Sequence, residues 1–319
     1  MTAPAAVLPR RVLGGTGLEV SAVCLGGGPL AGMPETFGYD VPFEQAVATI
    51  RHALAGPITF LDTAAAYADG EGERRFGAAL REAGGVPDGV VVATKIDRDL
   101  ATGDFSGGQA RRSLERSLTL LGLDSVPLCY LHDAEHVGFD VAMQPGGAVE
   151  TLLAMRDEGL CDHVGVAVGP NDLTLRLVET GAFEVMLTHN RWTLVDRGAG
   201  AVLDAAVARG MGVVNAAVFG GGLLVRGTAR LQRYAYAPAP EEVLQRVRRM
   251  EELCAGAGVP LGAAALQFSL RDPRITASVV GATTPAHVDD ALRFATTPIP
   301  PQLWEELLPL AAPSQFWQP

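Results

Sequence analysis

The sequence has a deficit of positive charge, few cysteines and no long hydrophobic run. Its 25 lysine and arginine residues against 36 aspartates and glutamates leave a net charge of −11, which argues against nucleic acid or an anionic membrane surface as a partner. The four cysteines include no Cys-x-x-Cys pair and suit a reducing compartment. Because the N-terminus lacks a signal-peptide pattern and no apolar stretch is long enough to span a membrane, we expect a cytoplasmic protein that acts on a small molecule.

What the sequence does contain is an alternation of short apolar runs with longer stretches of helical periodicity. With 48% hydrophobic residues over 319 positions, the chain can bury a large core. The predicted strands end near Leu25, Asp62, Lys95, His132, Val168, Asn190, Phe219 and Gly281. The predicted helices cover residues 43–55, 71–83, 108–121, 148–158, 171–180, 198–209, 241–256 and 285–295. This repeat, without a linker, predicts an α/β protein with one (β/α)8 TIM barrel, as a single domain over residues 1–319.

Two features depart from a regular repeat. The last two strand ends are 62 residues apart, against 22 to 37 elsewhere. The irregular stretch 226–240 and the apolar run 262–270 fall in this interval, so we expect a long loop over the barrel mouth and an extra helix before strand eight. Upstream of strand one, residues 10–23 have the pattern of a β-hairpin, which we expect to plug the bottom of the barrel.

Three neighbouring strands are predicted to end on the polar residues Asp62, Lys95 and His132. In such a barrel the carboxyl ends of the strands form the reactive face, and neighbouring strands lie about 4.8 Å apart. A carboxylate, an ammonium and an imidazole therefore meet at one rim, and the loop after Asp62 can place Tyr67 above them. Each residue alone has an ordinary explanation as a helix cap, a rim lysine or a packed side chain, but their shared position predicts an active site.

The chemistry of these four residues is coherent. A phenol has an ordinary pKa of about 10 and needs neighbouring positive charge to exchange protons near neutral pH. Lys95 supplies this charge, Asp62 holds Lys95 because an unpaired buried ammonium is costly, and His132 can bind a substrate oxygen. No serine or cysteine nucleophile is evident, and His132 with His136 lacks a third ligand, so neither covalent catalysis nor a metal is expected.

A site of this kind needs a hydride carrier, yet the sequence has no Rossmann fingerprint. The stretch "GGGPLA" at 26–31 contains a proline and leads into no helix, so it predicts a flexible loop at Gly27 that a ligand can approach. A better anion site follows strand eight, where Thr283 and Thr284 precede the last predicted helix. The glycines of "VFGGGLL" at 218–224 offer a second backbone cradle.

The segments "FLDTAAAYADGEGE", "VVATK", "YLHD", "GGGLL" and "VVGATTP" stand in the order and at the spacing of the aldo-keto reductase superfamily, which the chain resembles over nearly its whole length. Segments such as "RWTLVD" and "IPPQLWEEL" resemble its bacterial branch of L-fucose, D-threo-aldose 1- and pyridoxal 4-dehydrogenases. The resemblance implies a barrel that binds NAD(P)H in extended form. It also implies a catalytic tetrad of Asp62, Tyr67, Lys95 and His132, with Tyr67 as proton donor in reduction and base in oxidation.

The same resemblance places the nicotinamide beside positions that depart from the superfamily pattern. The usual Ser-Asn after strand five is replaced by Ala167 and Val168, the strand-six glutamine by His189, and the stacking aromatic after strand seven by Ala216. His189 is either a hydrogen-bond donor in place of the glutamine or a packed side chain. Basic residues that grip a 2′-phosphate are missing near the last helix, which favours NAD over NADP. The predicted cofactor contacts are Gly27, Ala167, His189, Phe219, Gly220, Gly222, Gly281, Thr283, Thr284, His287 and Asp290.

The resemblance predicts NAD(P)-dependent oxidation of an aldose, of the L-fucose or D-threo-aldose type, at C1 to its lactone. The alternatives are reduction of an aldehyde or ketone by NADPH on the same residues, oxidation of a pyridoxine-type alcohol, and a cofactor-sensing regulatory subunit. The predicted substrate pocket contains Arg191, Tyr234 and Tyr236, with Trp192 either there or in the core. We expect a monomer or a small homo-oligomer.

Overall fold

A closed barrel of eight parallel strands forms the centre of the computed structural model, which describes residues 8–316. Two short antiparallel strands, β1 (Arg10–Val12) and β2 (Glu19–Ser21), precede it. The barrel strands follow as β3 (Val23–Gly26), β4 (Phe60–Asp62), β5 (Val91–Ile96), β6 (Val126–His132), β7 (Cys161–Ala167), β8 (Val185–His189), β9 (Gly212–Ala216) and, later in the chain, β12 (Ala277–Gly281). Small and β-branched residues dominate these strands because one face lines the barrel interior and the other packs under helices.

Helices surround the barrel and connect its strands. They are α1 (Pro34–Phe37), α2 (Phe43–Leu54), α3 (Glu71–Glu82), α4 (Gly107–Leu121), α5 (Phe139–Met143), α6 (Ala148–Asp157), α7 (Asn171–Glu179), α8 (Gly200–Ala208), α9 (Leu223–Arg226), α10 (Glu241–Gly256), α11 (Leu261–Leu270), α12 (Pro285–Thr296) and α13 (Pro301–Leu307). Helix α4 shows how individual residues set the two ends of a helix. The hydroxyl of Ser106 caps its first turn, and Gly122, at a φ of 72°, ends it.

The predicted barrel is confirmed, together with the long loop and the extra helix before its last strand. The loop contains a two-residue ladder between β10 (Arg233–Tyr234) and β11 (Ala237–Pro238), and α11 is the additional helix. One strand end was predicted wrongly. Strand β9 ends at Ala216 and not at Phe219, because Ala217 adopts a φ of 55° and a turn follows, in which the Gly220 N–H donates to the Ala217 carbonyl.

The apolar core has two parts. One lies between the barrel and its helices, and the other fills the barrel interior. The predicted hairpin closes the bottom, where Leu13 and Val20 join the interior cluster. Gly14 allows this approach, because a Cβ there would lie 2.1 Å from the backbone nitrogen of Gly212. The bottom is therefore sealed and only the carboxyl ends of the strands remain open.

Within residues 8–316, no single helix is long and apolar enough to cross a membrane, although the bent pair α10 and α11 would reach that length together. All four cysteines are buried with free thiols.

Candidate active site

The carboxylate of Asp62 and the ammonium of Lys95 form an ion pair at the open end of the barrel. Strand β4 ends on Asp62, and Lys95 lies near the end of the neighbouring strand β5. The Lys95 Nζ lies 2.6 Å from the Asp62 Oδ1 and also donates to the Thr63 carbonyl at 2.6 Å. Their side chains are only 1% and 5% exposed, so the pair is shielded from water and salt. Lys95 is also the only lysine in the sequence.

Tyr67 lies above this pair on the loop between β4 and α3. Its hydroxyl oxygen lies 3.5 Å from the Lys95 Nζ, and its ring stands edge-on to the imidazole of His132 at 5.9 Å between ring centroids. The loop is fixed on both sides of the tyrosine. The Ala66 N–H donates to the Asp97 carboxylate at 2.8 Å, and the Gly72 N–H donates to the Tyr67 carbonyl at 3.1 Å.

His132, the last residue of β6, is held between two carboxylates. Its Nδ1 lies 2.7 Å from the Asp97 Oδ1, and its Nε2 lies 3.2 Å from the Asp133 Oδ1. Sequence reasoning missed both aspartates. The available signal was that each lies one or two positions after a strand-end residue, in "TKID" and "LHD", where the same rim rule applies.

The surroundings shift the pKa values of Lys95, Tyr67 and His132. Burial works to lower the pKa of Lys95, but Asp62, with smaller effects of Tyr67 and Asp97, outweighs it and the pKa is raised. Burial raises the pKa of Tyr67 more than Lys95 lowers it, so the phenol carries its proton at neutral pH. For His132, burial is outweighed by Asp97 and Asp133, and the pKa rises to about 8. The imidazole is therefore largely a cation near neutral pH.

These residues lie at the floor of a cavity of about 370 Å³. The loop after β3 contributes its glycines to one wall, and the aromatic residues Phe37, Tyr39 and Tyr236 contribute to another. The rings of Phe37 and Tyr236 meet edge-on at 5.7 Å, which joins the segment before α2 to the long loop. Phe37 and Tyr39 were not anticipated, because neither stands near a strand end.

The predicted cofactor contacts fall into two groups. Those that lie in the cavity wall are Gly27, Ala167, His189, Phe219, Gly222 and Gly281. Those that lie outside it are Gly220, Thr283, Thr284, His287 and Asp290. In the second group, the Thr284 hydroxyl caps α12, and Thr283 bonds the His287 ring at 2.9 Å. Burial and Arg191 lower the pKa of His189 to about 4, so this imidazole in the cavity wall is neutral.

Three of the four predicted pocket residues do not line the cavity, and only Tyr236 does. Arg191 donates from its Nε to the Gly169 carbonyl. Trp192 packs on Phe268 with 5.8 Å between ring centroids, and the Tyr234 hydroxyl bonds the Thr193 hydroxyl at 2.7 Å. Arg191 and Trp192 follow the end of β8, and Tyr234 lies in β10. All three side chains contact neighbouring helices or loops, which the sequence does not reveal.

A phenol, a buried ammonium and an imidazolium meet at the floor of this cavity. Together they can transfer a proton to or from an oxygen on a substrate carbon. Such a site suits an oxidoreductase that works with a separate hydride carrier. Residues 22–310 match the aldo/keto reductase family, and the chain belongs to that family. It is an NAD(P)-dependent oxidoreductase that acts on small molecules.

Curated relatives cover most of the chain. D-threo-aldose 1-dehydrogenase of a Pseudomonas species is 31% identical, over 83% of this chain and 87% of the relative. Pyridoxal 4-dehydrogenase of Microbacterium luteolum is 28% identical, over 93% and 96%. L-galactose dehydrogenase of Arabidopsis thaliana is 30% identical, over 90% and 88%. A solved structure titled as an aldo-keto reductase from Pseudomonas aeruginosa has the same fold, with a TM-score of 0.65, 24% identity, and coverage of 90% and 94%.

The cavity suits a dinucleotide. Gly26, Gly27 and Gly281 leave its wall as bare backbone, and a Cβ on Gly281 would lie 2.7 Å from the Pro29 ring. The Asp62 Oδ2 is buried and has no hydrogen-bond partner among the described residues, so it can accept from a hydroxyl of a bound ligand such as a ribose. Ala167 and Ala216 keep the floor open where larger side chains would fill it.

Proposed function

We propose that this enzyme oxidises an aldose at C1 to the lactone with NAD⁺. The observation that carries the proposal is the Tyr67 hydroxyl 3.5 Å from the Lys95 ammonium, at the floor of a cavity that also contains the side chains of His132 and Asp133. Relatives at about 30% identity include two dehydrogenases of sugars, which supports a sugar as the substrate.

Each of the four site residues has its own role in the proposed reaction. His132 donates from Nε2 to the reacting oxygen and fixes its position, while Tyr67 takes the hydroxyl proton. Tyr67 must be a phenolate to take this proton, and Lys95, held by Asp62, stabilises that phenolate until the proton arrives. When bound, the coenzyme would supply the acceptor for the hydride that leaves the carbon bearing the reacting oxygen.

We propose Gly27, Ala167, His189, Phe219, Gly222 and Gly281 as contacts to the coenzyme, with Gly220, Thr283, Thr284, His287 and Asp290 beyond them. The preference for NAD over NADP is supported at α12, where the basic residue Arg293 is already paired with Asp290 at 2.7 Å. A 2′-phosphate would therefore have to compete with a carboxylate for this cation.

One observation favours a second function. The pKa of Tyr67 is raised, so the free protein presents a protonated phenol, which is the form that donates to a carbonyl oxygen in reduction. Reduction of an aldehyde or ketone with NADPH is therefore the alternative.

The test is a screen of absorbance change at the nicotinamide band. NAD⁺ and NADP⁺ are combined with aldoses and with pyridoxine-type alcohols, and NADPH with aldehydes and ketones, with Tyr67→Phe as the inactive control. Sugar-dependent reduction of NAD⁺ supports the proposal. Turnover of carbonyls with NADPH alone overturns it in favour of reduction, and tight coenzyme binding without turnover points to a regulatory subunit.

A further inference from the structure

Asp133 is a cavity carboxylate that the proposed mechanism leaves unused. It and Asp62 are the two carboxylates in the cavity wall, as far as the described residues show. The Asp62 side chain is 5% exposed and pairs with Lys95 through its Oδ1, whereas the Asp133 side chain keeps 31% of its surface exposed. Asp133 is therefore the more accessible of the two carboxylates to a hydroxyl-bearing ligand in the cavity.

A helix-capping role does not explain the carboxylate at position 133. Asp133 precedes a short turn of 3₁₀ helix at Ala134–His136, yet its carboxylate makes no capping hydrogen bond there. Its backbone adopts a φ of 48° and a ψ of 32°, a left-handed conformation that is costly for a residue other than glycine. This conformation holds the carboxylate against the Nε2 of His132 at 3.2 Å.

The carboxylate is ionised. Burial works to raise the pKa of Asp133, but His132 and other nearby cationic groups, including Arg98, lower it further. Arg98 approaches the second oxygen only to 3.9 Å, beyond hydrogen-bond distance. Asp133 is thus an ionised acceptor that lies 3.2 Å from the His132 Nε2, the atom that binds the reacting oxygen in the proposed function.

We infer that Asp133 is a specificity-determining residue, whose carboxylate accepts a hydrogen bond from the hydroxyl on the carbon next to the reacting carbon. The inference rests on the proposed function, in which the reacting oxygen lies between Tyr67 and His132. Two vicinal hydroxyl oxygens span about one hydrogen-bond length, roughly 2.8 Å. The His132 Nε2 and the Asp133 Oδ1 are 3.2 Å apart, so one oxygen of a vicinal pair can bind the Nε2 while the other donates to the carboxylate.

The selectivity arises from a hydrogen bond that only a 2-hydroxy substrate can donate to Asp133. While the His132 N–H binds the reacting oxygen, the hydroxyl on the next carbon donates to the Asp133 carboxylate. A 2-deoxy substrate covers this carboxylate without offering a hydrogen-bond donor, and Arg98 stays 3.9 Å away, so its binding is penalised. Because Asp133 retains some solvent, we expect a preference of about 100-fold in kcat/KM rather than the larger ratios of fully buried sites. We expect this preference for 2-hydroxy substrates in oxidation and in reduction.

The experiment compares kcat/KM for matched pairs, an aldose with its 2-deoxy counterpart and glyceraldehyde with 3-hydroxypropanal. The proteins are wild type, Asp133→Asn, Asp133→Glu and the control Asp140→Asn, which removes a carboxylate with 93% of its side chain exposed on the following helix. We expect the wild-type ratio of about 100 to fall toward one in Asp133→Asn and to recover partly in Asp133→Glu. Asp140→Asn should keep the wild-type ratio.

Two outcomes overturn the inference alone: a wild-type ratio near one, or an Asp133→Asn variant that loses the same factor on both members of a pair. The second would mean that Asp133 acts only by supporting His132. Absence of turnover of every sugar, alcohol and carbonyl by the wild type would show instead that the proposed function is wrong, and the inference would fall with it.

Discussion

Replacement of Asp62 by asparagine should destabilise the protein strongly while leaving its shape intact. The substitution removes the charge that lies 2.6 Å from the Lys95 ammonium, in a pair whose side chains are 1% and 5% exposed. What remains is a buried cation with only carbonyl and hydroxyl oxygens as neighbours. Breaking such a pair from one side lowers the free energy of unfolding by about 3–5 kcal/mol.

The stability lost in Asp62→Asn should return when the unpaired Lys95 charge is removed as well. In the double variant Asp62→Asn with Lys95→Met, the uncompensated charge is gone, so most of the lost stability should return. The matched control is Glu82→Gln, which breaks a pair with Arg51 at 2.9 Å whose side chains are about half exposed, and which should cost less than about 1 kcal/mol. Urea unfolding followed by circular dichroism measures all three variants.

Because Lys95 is the only lysine, its ammonium gives a single signal in a protein labelled with ¹⁵N-lysine. In the wild type the pKa of Lys95 is raised, so the charge should persist above pH 10.4, near which a free lysine loses its proton. Its stabilising contribution is fully present below that pH and is lost as pH rises through the folded-state pKa. A stability loss in Asp62→Asn no larger than that in Glu82→Gln, with an unchanged lysine titration, would refute the buried-pair argument.

Three further predictions follow from the site and its scaffold. Tyr67→Phe should lower kcat by about 100-fold or more while changing the coenzyme Kd, read from fluorescence quenching, by less than about threefold; near-normal turnover would contradict its role. In NMR titrations the imidazole of His132 should titrate near pH 8, since carboxylates outweigh its burial, and that of His189 near pH 4, since burial dominates; equal values would contradict the assigned surroundings. Gly107→Ala should lower the thermal midpoint, because a Cβ there would lie 2.2 Å from a threonine hydroxyl, whereas Gly108→Ala, with its nearest neighbour at 3.5 Å, should raise it slightly.

The barrel and its four principal site residues could be predicted from sequence because both depend on local signals. Apolar runs and helical periodicity identify the strands, and the residue at a strand end belongs to the reactive rim whatever the details of packing. The contacts of Asp97 and Asp133 with His132 could be recognised only from the structure. Whether a residue just beyond a strand faces His132 depends on the register between strands, here Lys95 opposite Tyr130, and on the left-handed turn at Asp133.

Aromatic residues show where sequence could not decide. Trp192, which the sequence left open between pocket and core, and Tyr234 pack outside the cavity, while Phe37 and Tyr39 reach it from a segment before α2. Loops of this length can direct a side chain inward or outward without any periodic signal, so residue type alone could not decide.

The charges at the cavity floor bear on the direction of catalysis. In the free protein Tyr67 is protonated, because burial and the nearby carboxylates outweigh the ammonium of Lys95. An oxidised nicotinamide carries a positive charge and a reduced one does not, so binding of the oxidised form lowers the pKa of a phenol in the same cavity, while the reduced form leaves it high. In the proposed function, Tyr67 is thereby biased toward acting as a base with NAD⁺ and as an acid with the reduced coenzyme. We therefore expect the redox state of the bound coenzyme, rather than a change in the protein, to select the direction in which these four residues work.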